Sequence, residues 1–187
     1  MEDQQYGVFH LEKKQLLYKQ ILTHDEIDKL NDECLNSVSC SNSGGLATGC
    51  RMYSDVDLRA EYRDICDRLF VVLRDYFPDL QISPHARFYS HKYGAIKPHV
   101  DQNHDNKSNY TLLLYLTDDF DDGKLSIKTK RSNEEIEKSF PDKFHKVFVI
   151  KPICGYAIIF NKELLHWASE IYTGEKNFLL VHFYSLW

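Results

Sequence analysis

Ala86-Arg87-Phe88-Tyr89-Ser90-His91-Lys92-Tyr93 is the stretch at which the character of the chain changes. From Ile82 onward the helical period of the first part disappears, and short β-rich runs separated by turn residues take over. Thr111 to Leu116, Lys124 to Lys130, Val147 to Ile150, Tyr156 to Phe160 and Phe178 to Tyr184 are the further candidate strands. Breaks at Gly94, Asp121-Asp122-Gly123, Pro152, Gly155 and Gly174 separate most of them. Helices first and then many short strands predicts an α+β fold, with the strands closing into a sandwich or barrel that N-terminal helices buttress.

Upstream, Thr23 to Glu26 makes a capping box, and Leu22 with Ile27 makes a hydrophobic staple. A helix is therefore expected from there to about Cys34 or Leu35. The Ser-, Gly-, Asn- and Thr-rich stretch from Cys40 to Gly49 reads as a loop. A second helix is expected from about Val56 to Tyr76, because Leu58, Tyr62, Ile65, Leu69, Leu73 and Tyr76 recur at three- and four-residue steps. Pro78 ends it.

The 187 residues suit one domain, with residues 1–80 as helical support and 81–187 as the part that does the chemistry. Lys and Arg number 23 against 28 Asp and Glu, a net charge of −5. That balance argues against a polyanion as the main partner, because neutralising phosphates needs clustered basic residues. No apolar run is long enough to span a bilayer, and Met1 to His10 is too polar for a signal or transit peptide. Five cysteines, Cys34, Cys40, Cys50, Cys66 and Cys154, without CxxC spacing fit reduced thiols used as small core residues, and a cytoplasmic location is expected.

His99-Val100-Asp101 carries the first chemical signal. Residues two apart on extended chain point to one side, so an imidazole and a carboxylate converge. Taken alone, a surface strand end explains the pair as well. His166, in a later segment, can supply a third ligand from another strand. Two histidines and one carboxylate leave open positions suited to non-haem Fe(II). Lys176 follows His166 by ten residues and shares a strand face with Phe178, Leu180 and His182. Taken alone, a solvated lysine at a strand start explains it better; beside the three candidate ligands, a lysine on such an apolar face needs a counter-charge. The far carboxylate of a dicarboxylic acid would supply it.

Across about Ala86 to Tyr184 the chain resembles the Fe(II)- and 2-oxoglutarate-dependent dioxygenases, and within them the prolyl hydroxylases of the prolyl 4-hydroxylase type. Arg87 to Gly94 followed by Pro98-His99-Val100-Asp101 is similar to the family's tyrosine, glycine and HxD stretch. Thr111 to Leu116 resembles its next strand, and Asp122 to Ile127 stands at its Gly-Gly-containing strand. Lys151-Pro152 to Phe160, His166 and Gly174-Glu175-Lys176 match its closing motif. The resemblance implies a double-stranded β-helix, or jelly roll. It implies Fe(II) held by His99, Asp101 and His166, and 2-oxoglutarate as cosubstrate with its C5 carboxylate on Lys176 and Tyr115. Tyr89 would be a further active-site tyrosine, and ascorbate is a further candidate cofactor. The implied reaction couples oxidative decarboxylation of 2-oxoglutarate to C–H hydroxylation, of the procollagen-proline or peptidyl-proline type, on a protein or peptide.

Asp122-Gly123 departs from the Gly-Gly pair, and His182 stands where some relatives carry a tryptophan lining the substrate groove. An oxygenase acting on a free amino acid or other small molecule is therefore kept as an alternative, as is a β-helix binding module without catalysis. Nucleic-acid demethylases of the superfamily use arginines after the distal histidine, and none occurs here beyond Arg131. His104 is expected in a loop near the substrate entrance rather than at the metal. The acidic run Asp118 to Asp122 reads as a solvated turn, lacking the spaced ligands of a Ca2+ loop. The mixed charges of Lys128 to Lys138 read as an exposed connection.

Overall fold

The computed structural model describes residues 16–36, 41–42, 49–57, 62–76, 80–101, 108–130 and 145–185. Its strands are β1 (Leu16–Gln20), β2 (Ser41–Asn42), β3 (Cys50–Asp57), β4 (Leu80–His91), β5 (Gly94–His99), β6 (Ser108–Tyr115), β7 (Leu125–Lys130), β8 (His145–Ile150), β9 (Tyr156–Asn161), β10 (Leu165–Ile171) and β11 (Lys176–Ser185), and its helices are α1 (His24–Leu35) and α2 (Arg63–Tyr76). Seven strands form one sheet in the order β1-β9-β6-β11-β4-β3-β2, and four form a second in the order β5-β10-β7-β8. Neighbours in both sheets pair antiparallel. From β4 to β11 the chain passes back and forth between the two sheets, with β7 and β8 together in the smaller one as a hairpin-like pair, which is the expected jelly roll with helices against the larger sheet.

Alternation along three strands assigns the two faces of the large sheet. Leu112 and Leu114 of β6, Ala157 and Ile159 of β9, and Leu179 and Val181 of β11 pack against Leu30 of α1 and Leu69 and Leu73 of α2. The alternate residues Tyr115, Ile158, Phe160 and Phe178 pack between the sheets with Ile127 of β7. A sheet covered on both faces is apolar at every position. That is why these strands read as continuous hydrophobic runs rather than as alternating ones.

α1 begins as the capping box predicts. Thr23 N–H donates to Glu26 Oε2 at 2.9 Å, Glu26 N–H donates back to Thr23 Oγ1, and Leu22 and Ile27 are buried beside the cap. Arg68 of α2 reaches Glu26 Oε1 at 2.6 Å and ties the two helices together. Burial alone would raise the Glu26 carboxyl, but the Thr23 N–H and Arg68 outweigh it and hold it below the usual range.

The second helix starts later than its period predicts. Val56 belongs to β3, which pairs with β4 out to Asp57 opposite His85, and the helix begins at Arg63. A strand was not expected before residue 80, yet β1 pairs with β9 and β3 with β4, so the N-terminal part extends the large sheet as well as covering it. Within the expected loop, Ser41 and Asn42 form β2. Cys40, residues 43–48, Leu58, Pro78, His104 and Arg131 to Lys138 lie outside the described residues. Cys34, Cys50 and Cys66 are buried and form no disulfide among the described residues. Burial, then the charges of Asp118, Asp28 and Asp119, push the half-buried Cys154 thiol up to about 11, so it stays protonated.

Candidate active site

Strand pairing brings the two histidines together, because His99 at the end of β5 sits directly opposite His166 on β10. Their ring centroids are 4.2 Å apart. Asp101 follows β5, and its N–H is anchored on Lys162 O at 3.0 Å. Asp101 Oδ1 lies 3.6 Å from both His99 Nε2 and His166 Nε2. One ligand atom from each of the three residues falls within 4.8 Å of the others.

The second nitrogen of each ring explains why both Nε2 atoms face Asp101. His99 Nδ1 is 2.8 Å from Lys97 O, and His166 Nδ1 is 2.9 Å from Leu164 O. A proton on each Nδ1, donated to those carbonyls, leaves the Nε2 lone pairs facing the carboxylate. Burial holds His166 below the ordinary histidine range, against the Asp101 charge and the Leu164 carbonyl, which favour the charged ring. A neutral imidazole is the form that binds a metal ion. Thr111 on β6 donates its hydroxyl to Asp101 Oδ2, leaving Oδ1 between the histidines. The donor set of two imidazoles and one oriented carboxylate fits a divalent ion such as Fe(II).

All six residues singled out in the sequence, His99, Asp101, His166, Lys176, Tyr115 and Tyr89, line one cavity of ≈ 660 Å³. Lys176 opens β11, is 3% exposed, and donates from Nζ to Gly123 O at 2.9 Å. Burial lowers its ammonium to about 8, although Cys50 and Asp122 favour the charged form. Gly123 has φ 57° and Asp122 φ 65°, so this turn uses the left-handed region at two successive residues. A Cβ at Gly123 would sit 3.0 Å from both Ile171 and Phe120. Aspartate tolerates the left-handed conformation, which is how Asp122-Gly123 replaces a Gly-Gly pair.

Tyr115 is buried at the end of β6. Tyr89 on β4 stacks on Phe178 at 5.4 Å between centroids. Burial pushes the Tyr89 hydroxyl above the usual phenol range despite Arg87, whose guanidinium donates a hydrogen bond to it. His182 lines the same cavity, whereas His91 is a buried core histidine with Nε2 3.1 Å from Tyr93 O. Thr111 and Arg87 were not read as site residues. The signal for Thr111 was present, since it shares a period of two with Leu113 and Tyr115 on β6.

The model of the 2OG-Fe(II) oxygenase superfamily matches residues 84–184. No curated protein sequence matches the chain. Among solved structures, a Pseudomonas putida prolyl-4-hydroxylase is similar over 92% of this chain and 93% of its own, at 16% identity and TM-score 0.67. A Trichoplax adhaerens prolyl hydroxylase, solved with a hypoxia inducible factor oxygen degradation domain peptide fragment, is similar over 92% and 84%, at 12% identity and TM-score 0.65. HygX from Streptomyces hygroscopicus, solved with nickel and 2-oxoglutarate, is similar over 95% and 89%, at 14% identity and TM-score 0.63.

Proposed function

The chain belongs to the 2OG-Fe(II) oxygenase superfamily, and from that premise we propose that it hydroxylates a proline in a protein or peptide, with Fe(II) on His99, Asp101 and His166 and 2-oxoglutarate anchored on Lys176. The observation that carries the reading is the placement of a buried ammonium in the cavity that holds the three converging ligand atoms. Fe(II) with 2-oxoglutarate bound would activate O2, the oxidant: one oxygen atom would enter the C–H bond to give C–OH, and the other would enter 2-oxoglutarate, which is oxidised and would leave as succinate and CO2.

The chain's own residues do the rest. His99 and His166 present fixed lone pairs, and Thr111 orients the Asp101 carboxylate. Lys176 takes the C5 carboxylate in place of its present partner Gly123 O, with the Tyr115 hydroxyl as a second donor. Phe178, Leu113 and Leu180 line the same cavity and keep water from it. Val100 and Leu165 line the cavity yet remain 39% and 37% exposed, an apolar rim suited to a peptide that extends beyond it. The whole chain acts as one catalytic unit in this reading, and ascorbate serves as the reductant that keeps the iron ferrous. No helix among the described residues is long and apolar enough to cross a membrane, and a cytoplasmic setting suits a site that needs ferrous iron.

A second reading is an oxygenase of the same chemistry acting on a free amino acid or other small molecule. The cavity volume of ≈ 660 Å³ falls within the usual range for small-molecule sites, and HygX has been solved with hygromycin B bound. Incubation of the protein with Fe(II), 2-oxoglutarate and proline-containing peptides, read by mass spectrometry, separates the two. The proposal expects one oxygen added to proline together with succinate, and neither product from His99→Ala or His166→Ala. Oxygen added to free amino acids but to no peptide would favour the second reading. No consumption of 2-oxoglutarate under any condition would overturn both.

A further inference from the structure

One side-chain oxygen, the Thr117 hydroxyl, brackets Lys176 with hydrogen bonds. Thr117 lies just beyond the end of β6, where the backbone ladder to β11 gives out after Leu116 N–H donates to Asn177 O at 2.8 Å. From there the Thr117 hydroxyl takes over. It donates to Glu175 O at 2.7 Å and accepts from Asn177 N–H at 2.8 Å. Its two partners are the peptide groups immediately before and after Lys176, so one hydroxyl fixes the direction in which that side chain leaves the strand.

A second layer ties the bracket to the N-terminal helix. Asn31 of α1 donates from Nδ2 to Leu116 O at 2.9 Å and accepts at Oδ1 from Asn177 Nδ2 at 3.2 Å. On the other side, the Glu175 carboxylate accepts from Ser90 Oγ and lies 3.2 Å from Lys92 Nζ. Asn177 is 4% exposed, so its amide is held in a place where water cannot substitute for lost partners. None of these groups lines the cavity. Gly174, whose added Cβ would meet Phe120 Cα at 2.7 Å, closes the turn that leads into the bracket.

We propose that Thr117, braced through Asn177 by Asn31, is a positioning residue for 2-oxoglutarate: it acts through Lys176 and sets how well the ammonium meets the C5 carboxylate. This inference rests on the reading that Lys176 binds the cosubstrate. It also gives α1 a part in the site that its distance from the metal ligands in the sequence does not suggest. A buried ammonium makes few contacts, so a small change in its direction costs affinity directly.

The test is calorimetric titration of the full chain, loaded with Mn(II) so that no turnover occurs, with 2-oxoglutarate. Thr117→Val keeps the shape of the side chain and removes both hydrogen bonds. It should weaken 2-oxoglutarate binding by roughly tenfold, the scale of one or two lost hydrogen bonds, while Mn(II) binding is retained. Thr117→Ser, which keeps the hydroxyl, should bind 2-oxoglutarate as the parent does. A purely structural defect would lower the fraction of competent protein, which changes the stoichiometry and not the affinity. Asn31→Ala should shift affinity in the same direction, and it decides the matter if Thr117→Val does not fold.

Folded Thr117→Val with unaltered 2-oxoglutarate affinity would overturn the proposal. So would equal losses of Mn(II) and 2-oxoglutarate binding. Lys176→Ala tells the two ideas apart. If it leaves 2-oxoglutarate binding intact, the underlying reading of Lys176 fails; if it abolishes binding while Thr117→Val has no effect, only the positioning role fails.

Discussion

Lys176 is 3% exposed, and among the described residues its ammonium donates to Gly123 O at 2.9 Å and lies 6.0 Å from the ring centroids of Phe120 and Phe178. Its ammonium is lowered by burial to about 8 from an ordinary value of 10.5. The sign of the consequence follows from which form binds. A carboxylate is held by the charged lysine, which carries its proton below about pH 8 and loses it above. Affinity for 2-oxoglutarate should therefore hold below that pH and fall above it, by up to about tenfold per pH unit. Lys176→Arg stays charged throughout and should flatten the profile. Calorimetry of the Mn(II)-loaded protein at a series of pH values checks this, and a level profile for the parent chain would contradict it. Lys176, His99, Asp101 and His166 were legible in the sequence because their types and spacing carry the chemistry. Thr111 and Thr117 were not, because a threonine is ordinary on a strand. Their importance comes from partners ten and about sixty residues away, Asp101 for one and Glu175 and Asn177 for the other.

At the scale of elements, α1 is set by local chemistry. Its cap satisfies two N–H groups that a helix start leaves unpaired, and the staple buries Leu22 and Ile27 beside it. Thr23→Ala should cost about 1 kcal/mol of stability in urea unfolding, with the unfolding slope unchanged. No loss would mean that Arg68 on Glu26, rather than the cap, fixes the helix end. Such local signals are readable in one sequence, and so are strands buried on both faces. β5 was missed because it carries Gly94 and Pro98 and alternates between half-buried and exposed positions at the rim of the smaller sheet. β10 mixes exposed Leu165 with buried His166 and Ala168. Most of β3 carried no expectation in the sequence, and only Val56 and Asp57 at its end fell within the expected helix. Its strand conformation comes from pairing with β4, which begins 23 residues after β3 ends (57 to 80). No local pattern announces that pairing.

Over the whole molecule, the large sheet separates two tasks. One face packs Leu112, Leu114, Leu179 and Val181 against the helices, and the other turns Thr111, Tyr115, Lys176 and Phe178 towards the cavity. A one-residue slip in β6 or β11 would exchange core and site residues, so the register that stabilises the fold also places the chemistry. The smaller sheet brings His99 and His166 face to face through β5 and β10. The central claim is that one cavity holds the ion on His99, Asp101 and His166 and the cosubstrate on Lys176. Anomalous diffraction at the iron edge, from crystals of the protein grown without oxygen in Fe(II) and 2-oxoglutarate, tests it most directly. The account predicts one iron peak bounded by His99 Nε2, His166 Nε2 and an Asp101 oxygen, with the C5 carboxylate of 2-oxoglutarate against Lys176 Nζ. An iron peak elsewhere, or 2-oxoglutarate bound away from Lys176, would contradict it.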